Sequence, residues 1–134
     1  MALIVGSTLA LVVGVFATVL RLDRERAFYA TVAMVVATYY VLFAAMGASV
    51  GTLIEESAVG IMFVVASAVG FRWSMWIVVA ALAGHGALDV VHGHVISNPG
   101  VPPWWPPFCM AYDFTAAAYL AALLVARSKP EPAR

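Results

Sequence analysis

The stretch WSMWIVVAALAGHGALDVVH, Trp73 to His92, decides how the rest of the chain is read. It is about as long as the ~20 apolar residues that a helix rising 1.5 Å per residue needs to cross a bilayer. Yet it carries His85, Asp89 and His92. At 100° per residue, Asp89 lies about 40° to one side of His85 and His92 about 20° to the other, so the three form one stripe. An ionisable group inside a span costs at least ~2.5–3.5 kcal/mol at the helix centre, so each of these asks for a partner or a purpose. The run is continuously apolar rather than alternating, and open strand edges in lipid would leave backbone groups unpaired, which argues against a sheet.

Outward from this stretch, four more charge-poor runs of similar length appear: Ala2 to Leu20, Ala27 to Met46, Leu53 to Phe71 and Phe108 to Ala126. The expected fold is an all-α integral membrane protein, a compact bundle of five transmembrane helices in a single domain over residues 1–126, with a polar tail over 127–134. Composition points the same way. The 134 residues are 64% hydrophobic and only 10% charged, whereas a soluble domain carries roughly 25% charged residues. Lys and Arg balance Asp and Glu, so no net charge draws the chain to nucleic acid, and the lone Cys109 cannot close an internal disulfide. The first run reads as a retained helix and not as a secretory signal, because its basic cluster follows it.

The basic residues order the topology. Arg21, Arg24 and Arg26 follow the first span, Arg72 the third, and Arg127, Lys129 and Arg134 the fifth. All fall on one side, while the connections Gly47 to Thr52 and Gly93 to Pro107 contain neither Lys nor Arg. The positive-inside rule then puts the N-terminus outside and the C-terminus in the cytoplasm. Neutral overall charge therefore conceals a basic end and an acidic end.

The acidic end holds the chemistry. Glu55 and Glu56 open the third span, His85, Asp89 and His92 line the fourth with His94 just beyond, and Asp113 opens the fifth. Counted at 1.5 Å per residue, Glu56, Asp89, His92 and Asp113 lie within roughly 5–10 Å of the outer ends of their helices, and His85 within about 15 Å. Carboxylates and imidazoles converging in one layer are a metal-site inventory. Four carboxylates with two imidazoles match the di-iron and di-manganese set of helical bundles, but the Glu-x-x-His spacing of those proteins is absent, and Glu55 and Glu56 project about 100° apart. One zinc bound by two or three of these residues and a water is the simpler expectation.

The expected metal ligands are Glu56, His85, Asp89, His92 and Asp113, with Asp89 and Glu55 as the catalytic carboxylates and one or two divalent ions, zinc or iron, as cofactor. His94, Tyr112 and Cys109 are additional candidates: Tyr112 as a hydrogen-bond or proton donor, Cys109 with Met110 as soft ligands that would suit copper. An interhelical hydrogen bond accounts for any one of these residues taken singly; four carboxylates beside three histidines exceed what packing requires.

The remaining signals concern packing. Pro99, Pro102, Pro103, Pro106 and Pro107 argue for stiff, extended backbone across the last loop, and Trp104 and Trp105 suit the headgroup level, as an interfacial anchor or as a lid over a site. Gly6, Gly14, Ala66 and Gly70 allow close helix contact.

The pattern H-x-x-x-D-x-x-H, then N-P-G with further prolines, then F-C-x-x-x-D, with Glu55 or Glu56 opening the preceding helix, resembles the C-terminal half of a family of small bacterial polytopic membrane proteins of unassigned function. The resemblance covers roughly the last 80 residues. It implies a multi-pass protein of the bacterial inner membrane and no particular reaction. The double Trp–Pro run and the His–Gly–His are departures from it. A looser likeness, in residue types alone, runs to intramembrane zinc hydrolases of the ceramidase and progestin-receptor group.

The leading functional expectation is a metal-dependent enzyme, hydrolase or oxidoreductase, acting on a lipid-like or small apolar substrate, with membrane lipid as its surroundings and a homo-oligomer left open. The rivals are a proton- or cation-binding transporter and an accessory subunit whose polar layer is structural.

Overall fold

The structure is a computed structural model that describes residues 1–128; Lys129 to Arg134, and with them most of the expected polar tail, lie outside the described residues. It contains α1 (Ala2–Val19), a 3-10 turn (Leu22–Arg24), α2 (Ala27–Gly47), α3 (Val50–Arg72), α4 (Met75–Val95) and α5 (Trp105–Ser128), with no strand among the described residues. All five α-helices are long and apolar enough to cross a membrane.

Three helix ends differ from expectation by three residues, each for a local reason, and the others by at most two. Helix α3 begins three residues early because Ser49 caps it, its hydroxyl accepting from the Thr52 N–H at 3.1 Å. Helix α4 runs through Gly93 to Val95, its last turn closed by the Ile96 N–H on the His92 carbonyl at 2.8 Å. Helix α5 begins inside the proline run that was expected to exclude helix: Trp105 is its first residue and Pro106 and Pro107 fill its first turn. Prolines are tolerated there because first-turn N–H groups have no intrahelical acceptor to lose.

The principal packing pairs are α1 with α5, α5 with α4, α4 with α3 and α3 with α2, and α2 also meets α4. Successive helices alternate in direction, so the connections gather at two ends. At the basic end, Arg127 Nη2 pairs with Asp23 Oδ2 at 2.7 Å and Arg26 Nη2 donates to the Gly70 carbonyl at 3.3 Å, which joins the α1–α2 connection to the ends of α5 and α3. At the other end, Thr52 Oγ1 donates to the Ser97 carbonyl at 3.3 Å.

Between the ends sits an apolar core in which Tyr29, Ala33, Val78, Leu82, Ala117 and Leu120 interlock. The distribution of polarity is inverted relative to a water-soluble bundle. Glu56, His85, Asp89, His92 and Asp113 are buried, while Ile4, Val12, Phe16, Ile54, Ile61 and Val65 stand at least half exposed on the outside. Apolar side chains on that scale suit a lipid surrounding, where exposing them would carry no hydrophobic penalty.

Two glycines set the approach of elements around the buried polar groups. A Cβ at Gly86 on α4 would stand 3.3 Å from both the Asp113 Cβ and the Met110 carbonyl, so Gly86 is what allows α5 this close to the histidine face of α4. A Cβ at Gly100 would run into the Phe43 carbonyl, so the last loop lies directly on the backbone of α2.

Candidate metal centre

His85 and Asp89 stand one turn apart on α4, and Cys109 and Asp113 one turn apart on α5. Each pair projects from one helix face, and Gly86 lets the two faces meet. His85 Nδ1 lies 2.7 Å from Asp113 Oδ2 and 3.7 Å from Asp89 Oδ2, and the Cys109 thiol points at Asp113 Oδ2 from 3.8 Å. All four residues are buried, and one donor atom from each lies within 4.8 Å of every other. Around a tetrahedral zinc, with ligands at 2.0–2.3 Å, donor atoms are separated by ~3.3–3.7 Å. The widest of the donor separations would shorten by about 1 Å around an ion.

Two further features fit an ion. Asp89 Oδ2 and Asp113 Oδ1 are buried and have no hydrogen-bond partner. A buried carboxylate oxygen in that condition bears a desolvation penalty that a cation or a proton would offset. Asp89 is also oriented from behind: Tyr40 on α2 donates to its Oδ1 at 2.6 Å, which leaves Oδ2 for the cluster. Such a second partner, fixing a ligand carboxylate from its far side, is the usual companion of a protein metal site. The Phe63 ring stands edge-on to His85, with centroids 5.1 Å apart, and closes the α3 side.

Neither a family model, nor a curated protein, nor a solved structure matches this chain.

The expected five-ligand set divides in two. His85, Asp89 and Asp113 come together, and Cys109 joins them. Glu56 and His92 do not: they bind each other, His92 Nε2 to Glu56 Oε1 at 2.9 Å. The reason is the length of the α4 stripe, since His85 and His92 are two turns apart, about 10 Å along the axis, too far for one ion to reach both. Glu56 Oε1 also accepts from Asn98 Nδ2 at 2.8 Å, and that amide reaches the Tyr40 carbonyl at 3.2 Å. His92 lies flat against the Tyr40 ring, with centroids 3.8 Å apart and 17° between planes. Tyr40 thus touches both halves, through its ring on one and its hydroxyl on the other.

The remaining candidates fall away from the cluster. Glu55 is exposed on α3 and His94 is exposed at the end of α4. Tyr112 lines an apolar groove instead, together with Val36, Tyr39, Trp105, Phe108 and Cys109. This groove, between α1, α2 and α5, has a volume of about 410 Å³. Leu9 and Val35 on its wall are themselves partly exposed on the outside of the bundle, so it opens sideways. Cys109 belongs to both the groove wall and the polar cluster.

Sequence reading did not single out Tyr40 or Asn98. Tyr40 was hidden in an apolar run, although it continues the small, inward face of Ala33, Val36 and Ala37 at helical spacing. Asn98 stood in view in the N-P-G motif, which signals a turn: its Oδ1 does accept from the Gly100 N–H at 3.1 Å. Its amide bond to Glu56 requires the tertiary fold.

Proposed function

We propose that this chain is a multi-pass membrane protein that holds one divalent transition-metal ion on His85, Asp89, Cys109 and Asp113, and uses it on a lipid-like substrate lying in the groove between α2 and α5. The carrying observation is the cluster itself: four buried donors of three chemical kinds within 4.8 Å of one another, two of whose carboxylates have an unpartnered oxygen. A thiol beside an imidazole selects zinc or iron over magnesium or calcium. When bound, such an ion polarises an ester or amide carbonyl and generates a hydroxide from water near neutral pH.

The chain's own residues would divide the remaining work. Tyr40 fixes Asp89. Asp113 Oδ2 holds His85 through Nδ1, which leaves the unpartnered Asp113 Oδ1 for the ion. Val36, Phe108 and Tyr39 exclude water from the substrate and align its apolar part beside Cys109. The N-out, C-in orientation and the kinship with small bacterial inner-membrane proteins belong to the same proposal and rest on the one-sided arginines and the H-x-x-x-D-x-x-H pattern. The apolar core packed between the cluster and the basic end, Leu82 and Leu120 included, favours a site over a conduit.

Metal analysis of the purified full chain in detergent tests the reading. One equivalent of zinc or iron per chain is expected, with a fall in thermal stability on chelation and loss of the metal in Asp113→Asn. Metal-free protein whose stability ignores both chelator and added ions would overturn it.

A further inference from the structure

At the basic end, opposite the acidic site, segments distant in sequence close around a second recess of about 360 Å³. The turn after α1 and the start of α2 contribute Arg24 and Arg26, the α3–α4 junction contributes Trp73 and Ser74, and the end of α5 contributes Leu124 and Arg127. The rim is cationic and the floor apolar.

The charges do not cancel. The one acid in the lining among the described residues, Asp23, is buried, and its Oδ2 is occupied by Arg127 Nη2 at 2.7 Å and the Thr18 hydroxyl at 2.9 Å. Arg26 donates one hydrogen bond to an uncharged carbonyl, that of Gly70. Arg24 makes no side-chain hydrogen bond or ion pair among the described residues, and neither does the adjacent exposed Glu25. Among the described residues, two guanidinium charges thus face a cavity without a carboxylate partner. Ser74 precedes α4 without using its hydroxyl as a cap, and the Ile77 N–H is taken by the Ser74 carbonyl, so that hydroxyl and the Met75 and Trp76 amides are available to an anion beside the arginines. Trp73 and Trp76, 70% and 52% exposed, flank the recess as indoles do at the headgroup level. A guanidinium pair matches a phosphate in charge and in hydrogen-bonding geometry, and the apolar floor below matches an acyl chain.

We propose that this recess is a binding site for one anionic phospholipid, its phosphate between Arg24 and Arg26 and the start of its acyl chain along Leu124. The site is independent of the metal cluster, which lies at the other end of the bundle.

The full chain, purified in detergent, is titrated with phosphatidylglycerol, with phosphatidylcholine of the same chains, and with water-soluble glycerol phosphate. Thermal stability and native mass spectrometry provide the readouts. One phosphatidylglycerol per chain is expected to bind and raise the melting temperature, with phosphatidylcholine weaker. The double variant Arg24→Gln, Arg26→Gln is expected to bind phosphatidylglycerol about tenfold or more less tightly. An unchanged melting temperature of the lipid-free variant shows that it has folded. Equal binding of the two lipids, or a folded variant that binds phosphatidylglycerol like the parent, would overturn the proposal. Glycerol phosphate binding as tightly as the lipid would also overturn it, in favour of a soluble phosphate ester.

Discussion

Replacing Tyr40 with Phe removes one oxygen atom and keeps the ring that lies on His92 at a centroid distance of 3.8 Å. What is lost is the 2.6 Å hydrogen bond that fixes Asp89 Oδ1. A hydrogen bond to a charged group contributes ~1.5–3 kcal/mol, and losing a partner that orients a metal ligand typically reduces metal affinity ~10–100-fold, or about 1.4–2.7 kcal/mol. Both routes reach the same range, because an Asp89 freed at Oδ1 rotates its Oδ2 away from the cluster. Competition for zinc between the purified protein and a chromophoric chelator measures the effect. The dissociation constant of Tyr40→Phe is expected to rise by ~10–100-fold, with the variant still folded. A folded Tyr40→Phe protein that holds zinc as tightly as the parent would refute the orienting role of Tyr40.

Three further outcomes follow from the geometry. Glu56→Ala leaves buried His92 without its acceptor and Asn98 with the Tyr40 carbonyl alone, and is expected to destabilise by ~3–5 kcal/mol in detergent unfolding, whereas Glu55→Ala, on the exposed side of α3, is expected to stay within about 0.5 kcal/mol of the parent. Gly100→Ala forces the last loop off the Phe43 carbonyl and is expected to cost ~1–3 kcal/mol, read in the same unfolding assay. Cys109→Ser removes the soft donor and is expected to reduce the preference for zinc over manganese, measured by competition between the two ions.

The part of the architecture that was legible in the sequence is the part that segment length and apolarity dictate. Five runs of apolar residues became five helices, the form that satisfies every backbone group within its own segment, and His85 with Asp89 shared a face because helical rotation fixes that angle whatever packs against it. The ends of helices were less legible, since they depend on single local bonds: the Ser49 cap extends α3, and the first-turn tolerance for Pro106 and Pro107 extends α5 into a run that reads as non-helical. The division of the site was legible in principle from the two-turn gap between His85 and His92. Which carboxylate served which histidine was not. Glu56 pairs with His92 and Asp113 with His85 because α3 and α5 meet α4 at different heights, and a pattern along one chain carries no information about those heights. Cys109 stood four residues before Asp113, on its face, yet only the close approach that Gly86 permits shows that the thiol reaches the α4 ligands.

The central claim concerns the ligands of a single ion, and X-ray absorption at the metal edge of the purified protein reads them directly. One sulfur at about 2.3 Å with nitrogen and oxygen donors at ~2.0–2.2 Å is the expected shell, its sulfur lost in Cys109→Ser. A shell of nitrogen and oxygen alone in the parent protein, or a spectrum unchanged by Cys109→Ser, would contradict the account.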